Sequence, residues 1–377
     1  MSSKGRVLVA MSGGVDSSVA AVMLKEQGYD VIGITMKTWD YSRVGGKSDK
    51  ETGCCTLESM NDARQIAVNY GFKHFIVDIR DEFGDWVIDR FVNDYVEGRT
   101  PNPCVLCNTH IKWAAMLRRA DNLGCDSIAT GHYANIREEN GRHVISRGLD
   151  PKKDQSYALW GVAQKHLART KFPLGSYKKT EIRQMADDFG LTKVAGKPDS
   201  YEICFVPDDD YRRFLKDRVD GLEERVKGGK FVDQEGKIVG EHEGYPFYTI
   251  GQRRGLDLAL GTPVYVTHID PETNIIEVGA KEDLISTTCR AKELNMVKYD
   301  QVPEDEMEIT GMIRYNDSAD AAGYLTQLSD DEIEVTFPTG REAITPGQAI
   351  VCYEGNDVLA GAWIHKVNVE VEALNAV

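Results

Sequence analysis

The chain has 377 residues, 41% of them hydrophobic and 28% charged, and 45 lysines and arginines against 60 acids leave a net charge of −15. At about 150 residues per domain, that length predicts two to three domains with apolar surface for cores of their own. The balance excludes a disordered chain and a nucleic-acid coat protein, and no apolar run approaches the ~20 residues that span a bilayer, so a cytosolic protein without membrane contact is expected.

In chain order, residues 7–10 read as a strand, 17–27 as a helix and 31–34 as a strand. A second cycle follows: a helix over 61–70, a strand over 75–77, and an amphipathic stretch over 82–96 in which Phe83, Trp86, Val87, Phe91 and Tyr95 approximate helical spacing. A third cycle sets a helix at 109–122 and a strand at 127–130. Such alternation predicts an α/β domain, a doubly wound parallel sheet covered on both faces. A basic stretch over 211–230 leads into a hairpin at 230–239 with Gln234, Glu235 and Gly236 at its turn. Beyond 286 the pattern is all-β. Ile333, Val335 and Phe337 alternate with Glu334 and Thr336, and 349–353 joins 358–364 through a turn at 354–357. The expected division is a nucleotide-type domain over 1–210, a small connector over 211–285 and a β-barrel over 286–377.

Between the first strand and the first helix lies Ser12-Gly-Gly-Val-Asp-Ser-Ser18. Glycines there let the backbone approach an anion, Ser17 and Ser18 add hydroxyls, and a helix start offers N–H groups and partial positive charge. The loop is suited to phosphate; the plain alternative is a tight strand-to-helix turn. It is not a Walker A loop, because Gly46-Lys-Ser48 has Tyr41 where the first glycine belongs, and no Gly-x-Gly-x-x-Gly fingerprint occurs. Ser-Gly-Gly-Val-Asp-Ser resembles the pyrophosphate loop of the ATP pyrophosphatase (PP-loop) superfamily. That resemblance implies an adenine nucleotide alpha hydrolase-like domain that splits ATP into AMP and pyrophosphate.

Eight cysteines, at 54, 55, 104, 107, 125, 204, 289 and 352, are too few and too scattered for a disulfide scaffold. In Gly98-Arg-Thr-Pro-Asn-Pro-Cys-Val-Leu-Cys-Asn108 the two prolines argue against regular helix. Cys107 is therefore expected near the start of the next helix, where the dipole favours thiolate. Cys-x-x-Cys is also half a zinc knuckle, with Cys54 and Cys55 as the remaining half, although adjacent cysteines chelate poorly. Cys204, flanked by Ile203 and Phe205, reads by itself as a core cysteine.

Several motifs combine: Arg99-Thr-Pro-Asn-Pro with Cys107-Asn, Thr130-Gly-His-Tyr-Ala, Lys153-Asp-Gln-Ser-Tyr, Lys197-Pro-Asp-Ser with Cys204-Phe, Tyr248-Thr-Ile-Gly-Gln-Arg-Arg-Gly, and Arg314-Tyr. In order, and over nearly the whole chain, they resemble the tRNA-specific 2-thiouridylases. The resemblance implies an enzyme, a tRNA-uridine 2-sulfurtransferase. ATP puts AMP on the C2 oxygen of the wobble uridine, position 34, and a cysteine persulfide supplies the sulfur that replaces it. ATP contacts are implied at Ala10, Met11, Ser12, Gly13, Gly14, Val15, Asp16, Ser17, Met36 and Gly131, with Mg2+ alongside. Cys204 matches the persulfide carrier, and Cys107 the partner thiol that acts as nucleophile and can end disulfide-linked to Cys204. Asn102, Pro103 and Cys104 are implied near the target base, and His132, Lys153, Asp154, Gln155, Arg314, Tyr315 and Gln348 against the RNA. The implied partners are tRNAs with Lys, Glu and Gln type anticodons, and a sulfur-relay protein or cysteine desulfurase.

Many family members carry aspartate where this chain has Cys104. Cys104, Cys107 and Cys204 are therefore also candidate ligands for three irons of a [4Fe-4S] cluster, which would carry the same reaction on an open iron. Between Arg142 and Arg183 ten basic residues face three acids, with Tyr157 and Trp160 beside them, which suits phosphate contact and base stacking. Two rival classes remain: a PP-loop amidotransferase or ligase without sulfur chemistry, and a non-catalytic RNA-binding protein that kept the fold.

Overall fold

Runs of β-branched residues separated by helices build a parallel sheet. Its chain contributes β1 (Arg6–Ala10), β2 (Asp30–Lys37), β3 (Lys73–Asp78), β4 (Ser127–Ala129), β5 (Ala134–Glu139), β6 (Arg142–Arg147) and β7 (Thr170–Lys171). Five of these form the sheet in the order β3-β2-β1-β4-β7, with every pairing parallel, whereas β5 and β6 make an antiparallel hairpin. The computed structural model describes residues 4–39, 56–197, 203–315, 317 and 321–368. Tyr41, Gly46 to Ser48, Cys54 and Cys55, and residues 198–202 of the Lys197-Pro-Asp-Ser motif, lie outside the described residues. Two compact units divide the chain, one drawn from 1–89, 103–214 and 356–358, the other from 90–102, 215–355 and 359–377.

In the first unit, α1 (Val15–Glu26) packs its Val19-Ala-Ala-Val22 run, wholly buried, with Val7 and Val9 of β1 in one core. Small and β-branched side chains allow this close approach of helix to sheet. The second helix, α2 (Leu57–Asn69), starts at Thr56, whose hydroxyl accepts the Ser59 N–H. The stretch 80–96 is helical as expected, with a π-helical segment (Gly84–Ile88) between two α-helical pieces. Phe83, Val87, Phe91 and Tyr95, four residues apart, are buried; Trp86 lies off that face, is 54% exposed, and stacks on His110 at 5.0 Å.

The next helix corrects an expectation. It begins at Pro103 and not near 109, runs as an α-turn (Pro103–Leu106), a π-helical segment (Cys107–Lys112) and an α-helix (Trp113–Asn122). A proline in the first turn needs no N–H partner and brings a helical φ, so Pro103 starts the helix it was expected to prevent.

The second unit begins with a four-stranded sheet ordered β10-β11-β8-β9, from β8 (Gly229–Val232), β9 (Ile238–His242), β10 (Tyr265–Asp270) and β11 (Ile275–Gly279). The β8–β9 turn is the expected one, with Gly236 at φ +80° and Asp233 accepting the Glu235 and Lys237 N–H groups. The remaining strands are β12 (Ile285–Met296), β13 (Met307–Met312), β14 (Ala321–Gln327), β15 (Glu332–Glu342), β16 (Ala349–Glu354) and β17 (Asp357–Val367). They run in the order β12-β15-β14-β13-β16-β17, and a β12–β17 pairing closes the barrel, which removes its edges. Ile333, Val335 and Phe337 point inward as their alternation predicts. Cys289 and Cys352 are part of this core, where burial pushes the Cys289 thiol up to about 12 and the Cys352 thiol also upward. Both are therefore protonated packing residues.

Candidate functional site

In an open parallel sheet, ligands bind beyond the carboxyl ends of the strands where the chain order reverses. Here that point lies between β1 and β4, so the loops 11–14 and 130–133 flank it. Gly13 has φ +75°, and a Cβ there would sit 2.0 Å from the Ser59 carbonyl oxygen. Gly131 backs onto the first turn of α1, where a Cβ would fall 2.8 Å from the Ser17 nitrogen. The Ser17 hydroxyl accepts the Ser12 N–H at 3.1 Å and lies 3.2 Å from the Ser12 hydroxyl, and Ser18 Oγ donates to the Gly14 carbonyl at 2.8 Å. Thr35 fixes the start of the loop by donating to the Met11 carbonyl at 2.6 Å. The result is a rigid, glycine-lined cradle facing the N–H groups of a helix start, the arrangement that accepts phosphate. Ala10 closes β1, Val15 opens α1 and Met36 sits near the end of β2, so all ten nucleotide candidates belong to this one unit. Gly13→Ala combines the clash with left-handed strain, a cost of roughly 1–3 kcal/mol. We expect at least about a tenfold loss of ATP affinity by titration calorimetry, with a lower Tm.

Behind the cradle sits a group that sequence reasoning assigned elsewhere. Lys179 Nζ contacts both Asp16 carboxylate oxygens, at 2.7 and 2.8 Å, and Tyr133 OH donates to Asp16 Oδ1 at 2.6 Å. Lys179 is only 8% exposed and stands 5.7 Å from the Tyr133 ring centre. It is thus a buried partner of the phosphate loop and not a member of an RNA-facing basic band. Arg183 donates to the Ala195 and Lys197 carbonyls, and Arg169 pairs with Asp121 at 2.6 Å, so these two are also committed internally. Tyr157 and Trp160 are 1% and 2% exposed, which corrects their reading as stacking platforms: their apolar area went into the core.

The cysteines differ sharply in environment. Cys104, in the first turn of its helix, is exposed, while Cys107 opens the π-helical segment and is buried. Cys107 therefore lies a turn inside the helix, where the helix-start argument for its thiolate does not apply; Cys104 occupies the first turn, but desolvation, only partly offset by the Lys112 charge, pushes its thiol upward. Cys204 is half-buried in a tight turn closed by Val206 N–H on the Ile203 carbonyl at 2.9 Å. Phe205 anchors that turn against Phe83 and Phe214, at 5.8 and 5.4 Å between ring centres. Upstream, Lys193 and Lys197 hold Asp62 at 2.5 and 2.6 Å, which fixes the start of the segment carrying Cys204. Burial opposes the Asp62 charge, but the two lysines outweigh it and keep the carboxyl below its ordinary range. Among the described residues no three Cys, His, Asp or Glu side chains are gathered to hold a metal ion. Cys104, Cys107 and Cys204, one outward and one inward on the same helix, do not fit an iron–sulfur cluster as placed.

Of the RNA candidates in the first unit, His132 is held by Thr130 at 2.7 Å in a cluster with Trp113 and Phe172. Burial, helped by the Lys112 charge, pushes its imidazole well below the ordinary range, so it is neutral at pH 7. Asp154 accepts the Gly148 and Ser156 N–H groups, and Gln155 Oε1 accepts the Tyr133 N–H at 3.0 Å. Both shape the turn that presents Lys153. Pro103 is buried. In the second unit, Arg314 is exposed and Tyr315 is 43% exposed, on a turn clamped by the buried Asp317–Arg341 pair. Gln348 donates to the Thr100 and Pro101 carbonyls at 2.9 and 3.0 Å, just before Asn102.

Residues 5–208 match the tRNA methyl transferase HUP domain, 212–280 the tRNA methyl transferase PRC-barrel domain, and 286–364 the aminomethyltransferase β-barrel domain. The chain is 66% identical to the tRNA-specific 2-thiouridylase MnmA of Salinibacter ruber, over 97% of this chain and 96% of that one. It belongs to the tRNA-specific 2-thiouridylase family. The Cytophaga hutchinsonii 2-thiouridylase is 60% identical over 97% of this chain and 98% of its own, and that of Carboxydothermus hydrogenoformans 46% over 96% and 98%. In this 2-thiouridylase the parts that sequence reasoning missed are the supports: Lys179 and Tyr133 behind Asp16, and Asp62 behind Lys197. Tyr133 stood inside a quoted motif, but nothing local marked Lys179, 163 residues from Asp16.

Proposed function

We propose that this protein catalyses the ATP- and Mg2+-dependent 2-thiolation of the wobble uridine of tRNA. The uridine C2 oxygen attacks the α-phosphorus of ATP, pyrophosphate leaves, and the oxygen becomes the leaving group AMP. The terminal sulfur of a persulfide on Cys204 then attacks C2 and AMP departs. Cys107, as thiolate, attacks the Cys204 sulfur and releases the C2 thiocarbonyl, leaving a Cys107–Cys204 disulfide for an external thiol to reduce. The wobble base is unpaired in the anticodon loop, so turning it out of the stack costs only about a few kcal/mol. Asn102, Pro103 and Cys104 are assigned to that base, and His132, Lys153, Asp154, Gln155, Arg314, Tyr315 and Gln348 to the surrounding RNA. Sulfur arrives from a relay protein or cysteine desulfurase in the cytosol, and the substrates are tRNAs with Lys, Glu and Gln type anticodons.

The observation that carries this reading is the glycine cradle at the sheet's switch point, in one unit with the Cys107 helix and the Cys204 turn. A phosphate loop alone suits any adenylating enzyme; two thiols in the same unit support the sulfur chemistry. The decisive experiment incubates purified protein with ATP, Mg2+, a sulfur donor and unmodified tRNA transcript, followed by a mercury-containing gel. A retarded tRNA band is expected, and its absence under working controls overturns the assignment.

A further inference from the structure

The segment Tyr248-Thr-Ile-Gly-Gln-Arg-Arg-Gly255 has no part in the chemistry above, yet it is built with care. Gly251 N–H donates to the Val266 carbonyl at 2.8 Å, and Val266 N–H returns to the Gln252 carbonyl at 3.0 Å, which pins the loop to β10. The Gln252 side chain braces it from within, accepting the Thr249 N–H at 3.2 Å and donating to the Arg254 carbonyl at 2.9 Å. Gly251, at φ +84°, leaves no room for a side chain, because a Cβ would stand 2.9 Å from that of Ala343. This rigid loop presents Arg253 and Arg254, adjacent, exposed and without an acidic partner among the described residues. Other cations of the same unit are committed: Lys216 to Glu223 and Glu243, Lys230 to Glu241, Lys281 to Glu342 and Arg99 to Asp94.

The loop also has a telling neighbour. Thr249 Oγ1 lies 3.5 Å from Thr100 Oγ1, and Thr100 is held by its N–H on the Pro346 carbonyl and by Gln348 on its own carbonyl. Two residues later comes Asn102, so the start of the arginine loop lies against Thr100, the residue that Gln348 holds in the lead-in to the target-base residues. We propose that Arg253 and Arg254 form a binding site for the sugar–phosphate backbone of the RNA substrate. This rests on the tRNA reading above and adds a site to it. Exposed guanidiniums on a braced loop meet phosphate with little ordering cost, and in a chain of net charge −15 such local cations decide where a polyanion can rest. Asp257 shares the recess of about 190 Å3 that Arg253 lines, so the contact is made by the exposed guanidiniums and not by an enclosed anion pocket.

The test compares wild type with R253Q/R254Q and R253K/R254K, full length, by fluorescence anisotropy on unmodified tRNA between 50 and 300 mM KCl. Two lost phosphate contacts are expected to raise Kd about tenfold and to flatten the slope of log Kd against log salt by roughly 1.5, with the lysine variant recovering most of both. The KM for tRNA should rise with kcat unchanged, and ATP affinity should not move. If the glutamine variant keeps the wild-type Kd and salt slope, the site is refuted, and the thiolation reading stands if wild type still gives a retarded band. If wild type binds tRNA with this arginine dependence but thiolates nothing, the site stands and the thiolation reading falls.

Discussion

Cys204→Ser is expected to abolish tRNA thiolation while tRNA-dependent release of pyrophosphate from ATP continues. The two half-reactions use different side chains. In the proposed mechanism adenylation uses the cradle of Ser12, Gly13, Gly14 and Ser17, whereas sulfur transfer uses a sulfur atom at position 204 that can carry a second one. A serine hydroxyl cannot form a persulfide, and removing a covalent nucleophile commonly costs on the order of 10^4-fold or more. The fold should not notice, because the turn is held by Phe205 between Phe83 and Phe214 and by the Val206–Ile203 hydrogen bond, none of which involves the sulfur. The readouts are a mercury gel for the product, a coupled pyrophosphate assay for the first half-reaction and a melting curve. Unchanged thiolation would remove Cys204 from the mechanism, and a product independent of every cysteine would favour an amidotransferase or ligase.

Lys179→Met should impair the other half-reaction. Its ammonium is nearly buried and neutralises Asp16 at the start of α1, while the Asp16 side chain is 31% exposed. Without Lys179 the carboxylate keeps only the Tyr133 hydroxyl and the helix start as partners, and it repels the triphosphate that the same helix start should bind. Breaking a buried pair by removing one partner costs about 3–5 kcal/mol; with Asp16 partly solvated we expect roughly 1–3 kcal/mol of stability by urea unfolding. ATP turnover should fall about 100-fold, some 2.7 kcal/mol. Adding Asp16→Asn should recover stability without recovering turnover, since the uncompensated charge is gone but the loop's acid is too. Unchanged turnover and an unchanged KM for ATP in Lys179→Met, beside a lowered stability, would show that the pair only braces the fold.

Much of this molecule could be read from the chain because the relevant interactions are local. The strand, glycine loop and helix of residues 6–26 are contiguous, and the alternation of Ile333, Val335 and Phe337 states which face of a strand is apolar. The ordered motifs likewise grouped Cys107, Cys204 and the phosphate loop, and all three fall in one compact unit. Local pattern failed where two effects compete for the same residue. Pro103 was read as a helix breaker, but in a first turn its missing N–H costs nothing. Trp86 fitted an approximate spacing, yet the stricter four-residue interval of Phe83, Val87, Phe91 and Tyr95 defines the buried face.

The sequence by itself determined the sheet, the barrel and the inventory of reactive groups. Only the tertiary structure decided which charges are available. Lys179 pairs with a residue 163 positions away, and Lys193 and Lys197 with one 131 and 135 away. Within the basic band between Arg142 and Arg183, Arg169, Lys179 and Arg183 are therefore spent on partners inside the protein, while Arg253 and Arg254, without an acidic partner among the described residues, remain outside. Composition counts every charge alike, but a cation held against a carboxylate is already neutralised, and that pairing exists only once the distant segments have packed.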